Sequence, residues 1–276
     1  MKLLKVVRRC IQILVCVGLT LLPWAQSLGL NLGGSFFALQ LGPIPFADPV
    51  AALTVLGTMQ MPKTQILLGA GLALIIAVLM GRIFCGWICP YGFLSELIHG
   101  SRPSQAAKAP HSFFIKVLLL IFLIGLWIDF ALPLINVLSF PGELSLLPIL
   151  TYTEVSCGVF VGVICVPVII LLLERICGQR LWCKYFCPQS VLLGVAASLL
   201  PKKSWGLRII WTPNKCSCRD KAPCKAACSL DLNPKKLLST RRDCSQCGDC
   251  VQACSKHGQA LSYSFQKVQK AQRVQK

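Results

Sequence analysis

Charge is scarce in this chain. Only 14% of its 276 residues are Asp, Glu, Lys or Arg, where a soluble globular domain carries roughly a quarter. With 55% of the residues hydrophobic, that excludes an ordinary cytosolic enzyme and, more firmly, a disordered chain. Familiar catalytic signatures are also missing. There is no nucleophile–base pattern, no phosphate-binding loop, no dinucleotide fingerprint and no C-x-x-C-H haem attachment site. Gly33-Gly34 stands in an apolar stretch without strand–helix context and carries no weight.

What the chain has is cysteine and cation. Its 17 cysteines are an odd number in a long apolar chain, unlike the disulfide framework of a short secreted domain. There are 28 Lys and Arg against ten acids. The class expected from these counts is a membrane protein that carries metal clusters.

Four apolar stretches approach the roughly 20 residues a bilayer-crossing helix needs: residues 10–30, 66–80 with a continuation to 84, 117–135 and 155–173. A fifth run, 189–200, is too short to span and is expected to lie at the interface or pack on the bundle. Lys2, Lys5, Arg8 and Arg9 precede the first stretch, and nineteen Lys and Arg against four acids follow residue 174. By the positive-inside rule both termini are expected in the cytoplasm, in a multi-pass protein of the bacterial inner membrane. The basic start, the apolar run and Ala25-Gln26-Ser27 also fit a cleaved signal peptide, though the run is long for one. Arg8-Arg9 reads as an orientation anchor. The basic tail shows no nucleic-acid module and is expected to lie against anionic lipid. Membrane lipid is therefore an expected partner and nucleic acid is not.

The tail holds the strongest motif. Cys244, Cys247, Cys250 and Cys254 are spaced C-x2-C-x2-C-x3-C, the run of bacterial ferredoxins. In that run three cysteines wrap one [4Fe–4S] cube and the fourth ligates a second cube in two-cluster proteins. Residues 261–265 alternate as a strand does. Upstream, Cys218, Cys224 and Cys228 fall on the same template, whose second position is Lys221, and Cys216 is the substitute ligand. The swap rule assigns Cys216, Cys218, Cys224 and Cys254 to one cluster and Cys244, Cys247, Cys250 and Cys228 to the other. A zinc site, a [3Fe–4S] cluster or a vacant irregular site are the alternatives; three cysteines in seven residues do not suit zinc knuckles. Ser229 and Ser255 stand where the template has proline.

A second pattern occurs twice. Arg82-Ile-Phe-Cys85-Gly-Trp-Ile-Cys89-Pro90 matches Arg180-Leu-Trp-Cys183-Lys-Tyr-Phe-Cys187-Pro188. Cysteines at i and i+4 share a helical face, and proline suits the end of the turn or the start of the next helix. Such a pair fits a metal ligand, a cycling dithiol or the lining of a redox site, whereas a single copy would read as packing. Cys10, Cys16, Cys157, Cys165 and Cys177 show no partner pattern and read as packing residues.

These paired segments, the Pro45-Phe46-Ala47-Asp48-Pro49 segment and the ferredoxin run together resemble the NapH/MauN-type membrane ferredoxins over nearly the whole chain. The resemblance implies a quinol dehydrogenase component. It would pass electrons from the quinone pool, through a partner ferredoxin or reductase subunit, towards a reductase of the periplasmic nitrate type. Accessory proteins of nitrous-oxide reductase and of oxidase assembly share the architecture. A rival reading is therefore a redox maturation or regulatory factor working through Cys85, Cys89, Cys183 and Cys187.

Quinol oxidation needs a proton acceptor near the clusters, and Glu96 and His99 follow Cys89 on one helical face. A solvated polar face is the plainer account of that pair. The expected architecture is a membrane all-α four-helix bundle over residues 1–200, with a small C-terminal α+β two-cluster ferredoxin-like domain over 201–276. Two [4Fe–4S] clusters are the expected cofactors and quinone the expected substrate.

Overall fold

In the computed structural model the described residues are 2–28, 32–35, 38–41, 44–57, 64–99, 112–130, 139–152, 157–178, 180–199, 206–218, 222–235 and 242–265. The chain opens with a long helix, α1 (Lys2–Ser27). A small antiparallel sheet follows: β1 (Leu32–Ser35), β2 (Ala38–Leu41) and β3 (Ile44–Ala47), with Leu32 opposite Leu41 and Ala38 opposite Ala47. β3 lies on α3 (Thr64–Met80) so closely that a Cβ at Gly69 would sit 2.7 Å from the Ala47 nitrogen. Between them α2 (Pro49–Gly57) is started by Asp48, whose carboxylate accepts the Val50 N–H at 2.9 Å and the Ser139 hydroxyl at 3.0 Å.

Both copies of the repeated segment fold alike. A helix ends at a glycine of positive φ, Gly81 after α3 and Gly178 after α8 (Cys157–Cys177), the left-handed stop that glycine tolerates best. A single helical turn then carries the first cysteine: α4 (Ile83–Trp87) in one copy, a π-helical turn (Trp182–Phe186) in the other. The second cysteine closes the turn, and the following proline opens a new helix, α5 (Pro90–His99) or α9 (Pro188–Leu199). Proline fits there because its missing N–H has no partner in a first turn.

Between the copies lie α6 (Ser112–Phe130) and α7 (Phe140–Tyr152). The central core joins them: Tyr91, Phe140, Leu171, Trp182 and Leu193 are buried together. The Phe140 and Trp182 rings stack 3.9 Å apart, 13° from parallel. Glu174, fully buried, accepts the Ser95 hydroxyl at 2.7 Å and the Trp182 N–H at 2.8 Å. It thereby ties α8 to α5 and to the π-turn.

The tail is a ferredoxin-like α+β unit. Strands β4 (Arg208–Trp211) and β5 (Leu261–Ser264) pair antiparallel, Arg208 opposite Ser264, and the short helices α10 (Pro223–Ala226) and α11 (Asp249–Cys254) pack on each other. The expected strand at 261–265 is β5.

The expected four-span membrane bundle is not found among the described residues. Among the described residues no helix is both long and apolar enough to cross a membrane, and this overturns the expected multi-pass placement in the inner membrane. The apolar runs overlap the helices, but none of these helices meets both requirements for a span. α3 has 17 residues, about 26 Å at 1.5 Å per residue, against roughly 30 Å of hydrocarbon. α1 begins among four cations, one of them the buried Arg8. The run expected at 117–135 ends as a helix at Phe130. α8 has Pro167 in its interior, where a backbone hydrogen bond is lost, and the buried Glu174 near its end. Nor is the first part all-α, since the β1–β3 sheet stands between α1 and α2.

Candidate metal centres

The tail brings its cysteines together in two groups. Cys228, Cys244, Cys247 and Cys250 line a small, almost wholly apolar cavity whose other walls include Ile209 and Leu230. Three come from the loop before α11 and its first turn, the fourth from the turn after α10. The second group joins Cys216, Cys218 and Cys224 with Cys254, and Cys254 faces both Cys218 and Cys224 electrostatically. Lys221, the irregular template position, lies outside the described residues.

The surroundings of the first group suit iron–sulfur ligation. Burial pushes the Cys244 thiol up to about 12, and raises Cys247 and Cys250 as well. These thiols stay protonated until a metal displaces the proton. Backbone N–H groups already point at sulfur: Leu232 donates to Cys228 Sγ at 3.3 Å and Gln246 to Cys244 Sγ at 3.4 Å. Such bonds are among the determinants of a cluster's potential. Cys216 goes the other way, lowered chiefly by the Cys218 backbone N–H. The four-cysteine donor set around the cavity fits an iron–sulfur cluster.

The loop carrying Cys244 and Cys247 is docked onto the first repeat copy and onto α1. Trp87 donates its indole N–H to the Gln246 carbonyl at 2.9 Å, and Gly86 lies so close to the Ser245 carbonyl that a Cβ has no room. Arg8 of α1 donates to the Cys247 carbonyl at 2.5 Å and pairs with Asp249 at 3.0 Å and with Glu96. The repeat's two arginines reach the two sides of the cavity. Arg82 donates to the Asp243 carbonyl at 3.2 Å, beside Cys244, and Arg180 to the Ser229 hydroxyl at 3.2 Å, beside Cys228.

A model described as a 4Fe-4S binding domain matches residues 64–105 and 159–208, so it falls on the two copies of the repeat. Ferredoxin-type protein NapH of Escherichia coli K12 is 26% identical over 83% of this chain and 82% of its own length. The methylamine utilization ferredoxin-type protein MauN of Methylorubrum extorquens is 26% identical over 78% of this chain and 62% of its own. The chain is a homologue of the NapH and MauN ferredoxin-type proteins. A putative electron transport protein of Escherichia coli K12, YccM, is 29% identical over 70% of this chain, which spans about half of YccM's length, 54%. No solved structure matches. These similarities are to iron–sulfur proteins of the ferredoxin type.

In this homologue Cys89 and Cys187 are buried in the central core with Cys85 and Cys183 packed against it, so the two copies of the repeat meet. Glu96 is a counter-ion, held by Arg8 and by Arg9 at 3.0 Å. His99 ends α5 and its side chain lies outside the described residues. The arginines were the residues sequence reasoning undervalued. Arg8 reads as a topological anchor, yet it is 1% exposed and holds a cluster loop. The signal available was Arg82 and Arg180 at equal offsets from their cysteines. Ser229 and Ser255, departures from the proline template, have structural uses: Ser229 accepts from Arg180, and the Ser255 N–H continues α11 to the Val251 carbonyl at 3.1 Å.

Proposed function

We propose that this chain is a two-cluster electron carrier. Cys228, Cys244, Cys247 and Cys250 hold one [4Fe–4S] cluster, and Cys216, Cys218, Cys224 and Cys254 the other. The observation that carries the reading is the cavity walled by four cysteines from separate turns of the tail. When bound, such clusters supply one-electron transfer at potentials set by burial and hydrogen bonds. The donor is a quinol. A second, narrow pocket, lined by Phe46, Pro49, Ile83, Phe84, Ile88 and Gln189 among others, is almost wholly apolar and abuts the first repeat copy. Its lining has the chemistry that an apolar ring with one polar edge group needs, and the Gln189 amide, 3% exposed, is the polar group available. Oxidising a quinol there releases two electrons, one for each cluster, and two protons that leave to solvent. A partner ferredoxin or reductase subunit accepts the electrons in turn.

Burial argues against the maturation reading. Cys183 is pushed up to about 11, Cys187 to about 12 and Cys89 is raised too, all chiefly by burial. Thiol exchange needs an accessible thiolate.

Anaerobic purification followed by iron and sulfide analysis and an EPR-monitored titration with a quinol analogue tests the proposal. The expected result is a reduced-cluster signal on quinol addition and, in Cys250→Ser, a loss of about four iron per chain. Zinc in place of iron, or clusters that dithionite reduces and quinol does not, would count against it.

A further inference from the structure

Each C-x3-C-P segment brings two thiols, half of what an iron–sulfur cube requires, and the fold joins the halves. Cys85, Cys89, Cys183 and Cys187 belong to one packed core. Cys89 lies within electrostatic reach of the other three, and Cys187 of Cys183 and Cys85. The Gly92 backbone N–H donates to Cys89 Sγ at 3.3 Å. That is the N–H to sulfur geometry of Cys228 and Cys244 in the tail.

Around these thiols three buried cations have carboxylates only at longer range: Asp243 faces Arg82 and Lys116, and Glu96 and Glu174 face Arg180. Arg82, Arg180 and Lys116 are 1%, 4% and 3% exposed, and among the described residues none of them forms an ion pair with a carboxylate. Arg82 reaches two backbone carbonyls and, at 3.9 Å, Cys85 Sγ, while its Nε has no partner among the described residues. Arg180 donates to the Gly92 carbonyl and to the Ser95 and Ser229 hydroxyls. Lys116 faces Cys183 and Cys187 with Arg82 beside it. Asp243 and Glu96 are already paired with Arg242 and with Arg8 and Arg9; buried cations with only shared or distant counter-anions are costly, and neutral thiols do not relieve them. Four thiolates around a cube carry net negative charge and do.

We infer that Cys85, Cys89, Cys183 and Cys187 together ligate one further [4Fe–4S] cluster, shared between the two copies of the repeat. Among the described residues no three His, Cys, Asp or Glu side chains converge on a single metal ion. This holds for the eight tail cysteines as well, because each thiolate of a cube binds a different iron. The site lies between the tail and the quinol cavity. Arg82 faces Cys85, Cys187 and Cys244, Arg180 faces Cys183 and Cys247, and Ile83, Phe84 and Ile88 of the same turn wall the cavity. Electrons released from a quinol, two per molecule with two protons lost to solvent, pass through this site singly to the Cys228–Cys250 set. Each transfer oxidises one centre as it reduces the next.

The inference rests on the electron-carrier reading, and iron analysis of the full chain separates the two. The expected values are about twelve iron and twelve sulfide per chain for the wild type and about eight for Cys85→Ser/Cys183→Ser. In that variant quinol no longer reduces the tail clusters but dithionite still does, which also reports an intact tail. In Arg82→Gln, which keeps all four thiols, the midpoint potential of one EPR signal falls because a buried positive charge is gone. About eight iron in the wild type, unchanged by the double substitution, overturns the inference and leaves the two-cluster reading standing. A wild type without iron sinks both.

Discussion

Trp87 of the first repeat copy donates its indole N–H to the backbone carbonyl of Gln246, between two cysteines of the ferredoxin run, at 2.9 Å. A residue next to one thiol pair thus holds a loop that presents another. Trp87→Phe keeps most of the ring and deletes the donor. Thermal melting should show a loss of about 1 kcal/mol, and the EPR signal assigned to the Cys244–Cys250 loop should broaden as its backbone loosens.

Arg8 is the buried hub of that junction, shared by Glu96, Asp249 and the Cys247 carbonyl. Arg8→Met leaves Asp249 unpaired and Glu96 with Arg9 alone, and should cost about 3 kcal/mol, the low end for breaking a buried pair. Arg8→Met/Glu96→Gln removes the carboxylate that then has only Arg9 and should recover part of that loss. Denaturant midpoints of the two variants, compared with the wild type, check the coupling; equal losses would show that Glu96 is not a partner.

Ser229 occupies a template proline position and accepts a hydrogen bond from Arg180. Ser229→Ala strands one guanidinium N–H and should destabilise by about 1.5–3 kcal/mol, the range for hydrogen bonds to charged groups. Ser229→Thr, which keeps the hydroxyl, should lose much less in the same melting experiment.

Asp48 is fully buried at the start of α2, and burial raises its carboxyl from 3.8 to about 6 against the pull of its Val50 and Ser139 hydrogen bonds. An acid whose folded pKa is raised stabilises the fold fully below its unfolded pKa, and that contribution is lost as pH climbs through about 6. The difference between the two values corresponds to roughly 3 kcal/mol. Asp48→Asn abolishes the titration, so its melting temperature should stay flat between about pH 4 and 7 while the wild type declines. Parallel curves would remove Asp48 from the account.

The grouping of the tail cysteines and the doubled turn were legible because such motifs are written locally. The C-x2-C-x2-C-x3-C run, the doubled C-x3-C-P segment and the prolines opening α5 and α9 depend on spacings of a few residues. The docking was not legible. Arg8 finds Cys247 across 239 positions, and nothing near Arg8 distinguishes a buried cation from an exposed one. The bilayer reading failed for a related reason. A run of Leu, Ile and Val reads the same whatever it packs against, and composition did not reveal that α3 stops at 17 residues or that Pro167 and Glu174 sit within α8.

The order in which the partners of Arg8 leave the ribosome follows from their places in the chain. Glu96 emerges 88 positions after Arg8 and Asp249 241 positions after it. At about 5–20 residues per second the second interval lasts roughly 12–48 s. For much of that time Glu96 is the carboxylate at hand, an interim escort for a cation whose final socket has not yet been translated. The N-terminal helix therefore reaches its mature setting only when the last cysteines of the chain arrive, and the finished molecule closes from its two ends at once.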